Sequence, residues 1–180
     1  MERNRLFSLI FVGINRTMID IIQAHTTEDI LTAKALFQEY SGSLGFDLGF
    51  QSFEEELANF PGQYSPPAGR LYLAWYKSQA VGCVGLRKFE KRVCEIKRLY
   101  VKPDFRGKQA GGSLAKAAIE AAKTIGYEYI RLDTLPSMES ASRLYRSLGF
   151  EPIDPYRYNP IEGAVFMELN LKDFKGFNSF

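Results

Sequence analysis

Residues 95–125 constrain this chain more than any other stretch: EIKRLYV, then KPDFRGKQAGG, then SLAKAAIEAAKTI. Ile96, Leu99, Tyr100 and Val101 form an apolar, β-favouring run that reads as a strand, and Pro103 stops it because proline cannot donate to a ladder. Leu114, Ala118, Ala121, Ala122 and Ile125 recur at helical spacing, with Gly126 where a left-handed C-terminal residue is wanted. Between strand and helix lie Arg106, Gly107, Lys108, Gln109, Ala110, Gly111 and Gly112, with Ser113 just inside the helix. The first N–H groups of a helix have no partner within it. Glycines let a ligand approach that backbone, and the helix dipole with two nearby cations favours an anion. The stretch therefore predicts a phosphate or diphosphate cradle. Its spacing is neither that of a P-loop nor that of a dinucleotide fingerprint.

The rest of the chain narrows the class. At 180 residues the length suits one domain. The net charge of +2 gives no reason to expect a nucleic-acid partner. Cys83 and Cys94 fall in predicted strands without metal spacing and read as buried thiols. His25 is the sole histidine, so no Ser-His-Asp, Cys-His or histidine metal site is proposed and no metal is expected. At the N-terminus, MERNR precedes the apolar run LFSLIFVGI. That run is shorter than the ~20 residues that span a bilayer, and no small-residue cleavage site follows it. The expectation is that Met18 begins the biological chain and that 1–17 is an arm. The intact mass of protein made from its native message checks this, and a mature chain beginning at Met1 would contradict it. The body reads as a cytoplasmic protein with no membrane partner.

Taken in order, residues 19–24 read as a strand and a helix follows, capped by Thr26 or Thr27, with Ile30, Ala33, Leu36, Phe37 and Tyr40 on one face. A glycine- and aromatic-rich segment, 40–53, leads to a short helix at 53–59. Residues 71–76 and 79–86 form a hairpin about Lys77 and Ser78, paired in turn with the strand at 94–101. Residues 129–134 are a further strand. Ser137 is the expected N-cap of a helix whose Ala141, Leu144, Tyr145 and Leu148 share a face. Short strands at 151–153 and 164–171 flank the loop PYRYNPIEG, and the tail 172–180 reads as loose. This is an α/β (α+β) architecture, a mixed, largely antiparallel twisted sheet flanked by helices.

Arg106-x-x-Gln109-x-Gly111 resembles the Q/R-x-x-G-x-G/A acetyl-coenzyme A motif of the GNAT superfamily of N-acetyltransferases. The preceding Glu95-Ile-Lys-Arg-Leu-Tyr-Val101 is similar to that family's fourth strand. Ala141-x-x-Leu144-Tyr145-x-x-Leu148-Gly149-Phe150 is similar to its second signature. The resemblance covers about residues 18–171. One position departs: Gln109 stands where the family usually has its first glycine, and a side chain there is expected to require a negative φ.

That resemblance implies a site. The strands at 95–101 and 129–134 should run parallel and part at one end, with pantetheine bonded to main chain in the gap as an added strand would be. Leu99, Tyr100 and Val101 would meet the pantetheine and thioester, and Arg106 through Ser113 the diphosphate. Met138 stands where the family often has an asparagine near the pantetheine. Phe46, Phe50 and Phe53 read either as walls of an acceptor site or as ordinary core. An alkyl amine with pKa near 10.4 costs roughly 4.6 kcal/mol to deprotonate at pH 7, and an α-amine near 7.8 only about 1 kcal/mol. Glu95 is the expected base, on a face shared with Lys97, Leu99 and Val101 by strand alternation. Tyr145 is the expected acid for the leaving thiolate, a role the family commonly gives to a tyrosine at this position. The implied activity is direct acetyl transfer from acetyl-CoA to an amine of a small molecule or peptide, and a homodimer is compatible with it. A non-catalytic acyl-CoA sensor and an interaction domain are the other readings of the same fold.

Overall fold

The computed structural model describes residues 19–177; the N-terminal arm, the choice of Met18 as start and the last three residues of the tail lie outside them. Strand β1 (Ile19–Gln23) leads into α1 (Thr27–Ser43) and α2 (Phe53–Ala58). Three antiparallel strands follow, β2 (Arg70–Tyr76), β3 (Gln79–Lys88) and β4 (Val93–Val101). Then come α3 (Ala110–Ile125), β5 (Tyr129–Thr134), α4 (Glu139–Ser147), β6 (Glu151–Ile153) and β7 (Val165–Asn170). They make one seven-stranded sheet in the order β1-β2-β3-β4-β5-β7-β6. Helix α1 starts at a capping box: Thr26 Oγ1 accepts from the Asp29 N–H, and the Asp29 carboxylate accepts from the Thr26 N–H.

The single parallel pairing among the described residues, β4 with β5, covers only Val93–Tyr129, Cys94–Ile130 and Glu95–Arg131 before the strands part. The departure follows from a bulge. Arg98 has φ +57, in the left-handed region, and the β3–β4 register slips between Cys83 and Gly85. A bulge inserts one residue and bends its strand. The Cys83 thiol donates to the Arg98 carbonyl over 3.6 Å, steadying the bend.

The bulge also corrects the expected faces. Past an inserted residue the alternation changes parity. Cys94, Ile96, Leu99 and Val101 therefore pack together on the α3 side. Glu95 and Lys97 face the other side, with Tyr100 in the α1 core. Glu95 does not share a face with Leu99 and Val101.

Helix α3 buries Leu114, Ala115, Ala118, Ile119 and Ala122 completely; a buried leucine or isoleucine contributes about 1.5–3 kcal/mol, which fixes this helix and its N-terminus against the sheet. On the opposite face, Tyr64 and Phe37 press onto β3 at Gly85, where a Cβ would stand 2.5 Å from the Tyr64 ring. Two expectations at the chain's end change. Met138, not Ser137, precedes α4, because the Met138 N–H closes a turn onto the Leu135 carbonyl and leaves Ser137 outside the helix. The tail is not loose as far as Phe177: Phe174 and Phe177 pack against the α3-side core beneath Lys123 and Lys116.

Candidate active site

Where β4 and β5 part, two spaces meet. The larger is a groove of about 1000 Å³ between the end of β4, the start of α3 and α4. Leu99, Tyr100, Val101, Arg106, Gly107, Gln109, Ala110, Gly111 and Gly112, all expected at a coenzyme site, line it. Lys108 and Ser113 do not. The Lys108 ammonium lies 5.0 Å from the ring centres of both Tyr76 and Phe105, a cation–π seat. Ser113 is already within the helical ladder, its N–H bonded to the Gln109 carbonyl.

What the start of α3 offers the groove is backbone. Gln109 is the N-cap residue of α3 and offers no side-chain cap, so the N–H groups of Ala110, Gly111 and Gly112 have no intrahelical partner. The negative φ expected at Gln109 is not found: φ is +65, a conformation that costs a non-glycine residue about 1–2 kcal/mol. The chain must turn sharply there to enter α3, and the fold imposes the strain. Gly111 and Gly112 are different. A Cβ on either would meet nothing nearer than 3.7 Å, so the ligand-free fold does not require glycine at these two positions. Glycine in a helix is about 0.5–1 kcal/mol worse than alanine. The space left by the missing methyls suits a diphosphate drawn close to the helix terminus, with the Arg106 side chain held at the rim by its bond to the Val101 carbonyl.

The smaller space, a cavity of about 50 Å³, shares Tyr40, Leu44, Leu99, Met138 and Ala141 with the groove. Phe46 and Phe50 wall it. Phe53 does not; it is buried beneath the Arg98 guanidinium at 5.0 Å. Tyr145 lines the cavity with its ring edge-on to Phe150. Burial, then the charges of Tyr40 and Asp133, push its phenol far above the ordinary tyrosine value. Thr134 also lines it, and its buried Oγ1 has no hydrogen-bond partner among the described residues.

Glu95 lies outside both spaces. Its side chain is wholly buried, and Oε1 accepts from the Tyr156 hydroxyl (2.8 Å) and Arg157 (3.1 Å). Oε2 accepts from Arg87 Nε (2.9 Å) and a terminal nitrogen of the same guanidinium (2.7 Å). Burial would raise its pKa, but the charges of Lys97, Arg87 and Arg157 outweigh that and hold it below the usual carboxylate range. A carboxylate with four donors and a depressed pKa is a poor base, and the geometry makes Glu95 an anchor for the loop before β7.

The carboxylate that does line the cavity is Asp133. Its oxygens accept from Lys97 Nζ (3.2 Å), Asn159 (2.9 Å) and Gln51 (3.4 Å). Against burial, Lys97 and Arg157 hold its pKa low. Lys97 is itself buried, which brings its ammonium down to about 8 despite Asp133 and Glu95. Sequence reading missed Gln51, Asp133, Tyr156, Arg157 and Asn159. Asp133 carried a signal, as one of two charges in the strand YIRLDT, of the kind that drew notice to Glu95. The loop residues carried none, because their partners are 26 to 62 positions away in the chain.

Residues 31–150 match the model of a family described as acetyltransferase (GNAT). An uncharacterized N-acetyltransferase of Schizosaccharomyces pombe is 40% identical over 155 residues, which cover 85% of this chain and 95% of that relative. Among solved structures, an acetyltransferase from Streptococcus agalactiae superimposes with TM-score 0.69 at 16% identity, over 84% of this chain and 98% of its own. The PaiA N-acetyltransferase of Thermoplasma acidophilum, solved in complex with coenzyme A, gives TM-score 0.63 at 21% identity, over 84% and 98% of the two chains.

Proposed function

Because this chain belongs to the GNAT family of acetyltransferases and is an acyltransferase enzyme, we propose that it transfers acetyl from acetyl-CoA directly to the primary amine of an acceptor seated beside Asp133. The observation that carries the reading is the junction at Leu99, Met138 and Ala141, where the groove and the cavity share their walls. A thioester laid along the groove would present its carbonyl to whatever the cavity holds. The coenzyme A bound in the Thermoplasma structure supports a coenzyme in the groove.

In this reading acetyl-CoA supplies an activated acyl group. The N–H groups of Ala110, Gly111 and Gly112, with Arg106, hold its diphosphate. Charge-assisted hydrogen bonds contribute about 1.5–3 kcal/mol each, so a few suffice for the roughly 8 kcal/mol of a micromolar ligand. Backbone groups of Leu99 and Val101 hold the pantetheine and the thioester. Asp133 anchors the acceptor's ammonium, and Glu95, the expected base, stays outside the cavity. Its low pKa makes it an ion-pair partner more than a final proton acceptor. The amine therefore loses its proton to water, and turnover should rise with pH until the acceptor itself has titrated. As the new C–N bond forms and the C–S bond breaks, the nitrogen releases its surplus proton to water, and the Tyr145 hydroxyl holds the leaving thiolate by a hydrogen bond. Its raised pKa keeps the phenol protonated throughout the working range, so the donor is always present.

Tyr145→Phe should lower turnover by about tenfold or more while the coenzyme dissociation constant stays the same; unchanged turnover would remove Tyr145 from the chemistry. Acetyl-CoA-dependent release of free thiol across a panel of amines tests the activity itself. Coenzyme binding without acceptor-dependent thiol release would instead favour an acyl-CoA sensor.

A further inference from the structure

Resting on the transferase reading above, we infer that the acceptor is a free α-amino acid with an apolar side chain, its amine met by Asp133 and its carboxylate by Lys97. The argument is one of charge balance. Four cations, Arg87, Lys97, Arg98 and Arg157, and three carboxylates, Glu56, Glu95 and Asp133, sit together on the α1 side of the sheet. Arg98 is matched to Glu56, and Glu95 is shared by Arg87 and Arg157. One positive charge is left over where Arg87 and Arg157 share Glu95, and Arg157 is near enough to act on both Asp133 and Lys97 in this poorly solvated cluster. A simple alkylammonium would add a fifth cation beside it. So would a peptide N-terminus. An amino acid adds none, because its carboxylate accompanies its amine.

The geometry agrees. Lys97 Nζ and Asp133 Oδ1 lie 3.2 Å apart, with their side chains 4% and 6% exposed, and both line the cavity. An α-amino acid carries its two charges on one carbon, so it can lie alongside this pair with each end facing its opposite. Burial has weakened the hold of Lys97 on its proton, and a second carboxylate beside it restores that hold. Thr134 Oγ1, buried without a partner in the same cavity, offers one more hydrogen bond. Gln51, Arg98 and Asn159 make the wall polar around the charged pair, while Leu44, Phe46, Phe50 and Leu135 are apolar. The shared wall at Leu44, Leu99 and Met138 gives an apolar side chain the room toward the groove that about 50 Å³ alone does not.

The test is thiol release from acetyl-CoA with leucine, leucinamide and 3-methylbutylamine, alongside a calorimetric titration with acetyl-CoA. Leucine should exceed both others in kcat/KM by roughly tenfold or more. The amide withdraws electrons more strongly than the carboxylate, so its amine deprotonates more readily and intrinsic reactivity favours the wrong substrate. Equal or better rates with leucinamide or 3-methylbutylamine would overturn the inference and leave the transferase standing. Coenzyme binding with no thiol release from any of the three would overturn it too. Absence of coenzyme binding would remove the transferase reading and this inference together. In Lys97→Met, the preference for leucine over leucinamide should collapse to within about twofold; an unchanged preference would exclude Lys97 as the carboxylate's partner. Should that variant not fold, the wild-type comparison decides alone.

Discussion

Replacing Glu95 by alanine should destabilise the protein by about 3–5 kcal/mol, toward the lower end because Arg87 and Arg157 keep 17% and 16% of their surface. At this chain length that is a fall in Tm of roughly 2–4 °C for each kcal/mol. The cause is what remains behind: two guanidiniums and the Tyr156 hydroxyl lose their common acceptor. The loop before β7 then loses its tether, and with it the Asn159 bond to Asp133. Thermal melts check the first consequence. They also check a pH signature. The folded pKa of Glu95 lies below its ordinary 4.5, so its stabilisation is fully present above that value and is lost as pH falls toward the lower, folded-state value. Glu95→Gln should therefore show a shallower loss of Tm between about pH 5 and pH 3 than the wild type. A Glu95→Gln protein with normal Tm and no turnover would return Glu95 to the chemistry as a base.

The second large effect has opposite signs in stability and in binding. Gly111→Ala with Gly112→Ala should raise stability by about 0.5–1 kcal/mol per site, since each new methyl finds room and alanine is the better helix former. The same methyls occupy the cradle, so affinity for acetyl-CoA should fall by roughly thirtyfold or more, about 2 kcal/mol. Melts and calorimetry on one preparation read both. A double variant that is more stable and binds coenzyme as before would show that the diphosphate lies elsewhere.

Much of this was readable in the chain, for a physical reason. Burial imposes periodicity, so Leu114 to Ile125 announced α3, and the paired glycines marked the helix start that lines the groove. What escaped was non-local or unmarked. The bulge at Arg98 has no glycine to signal it, yet it reverses the parity of β4 and moves Glu95 away from Leu99 and Val101. That single residue is why alternation misplaced the expected base. Gln109 adopts a left-handed conformation that its side chain disfavours, because packing of α3 overrides local preference. Asp133 owes its place in the cavity wall to the parting of two strands, and Tyr156, Arg157 and Asn159 owe their contacts to a loop folding back over a distant strand. No local pattern encodes those meetings.

The most direct test is a crystal structure with acetyl-CoA bound. The diphosphate should sit within hydrogen-bonding distance of the Gly111 and Gly112 N–H groups, with the thioester at Leu99 opening toward Asp133 and Tyr145. A coenzyme seated away from the start of α3, or a thioester turned out of the β4–β5 gap, would contradict it.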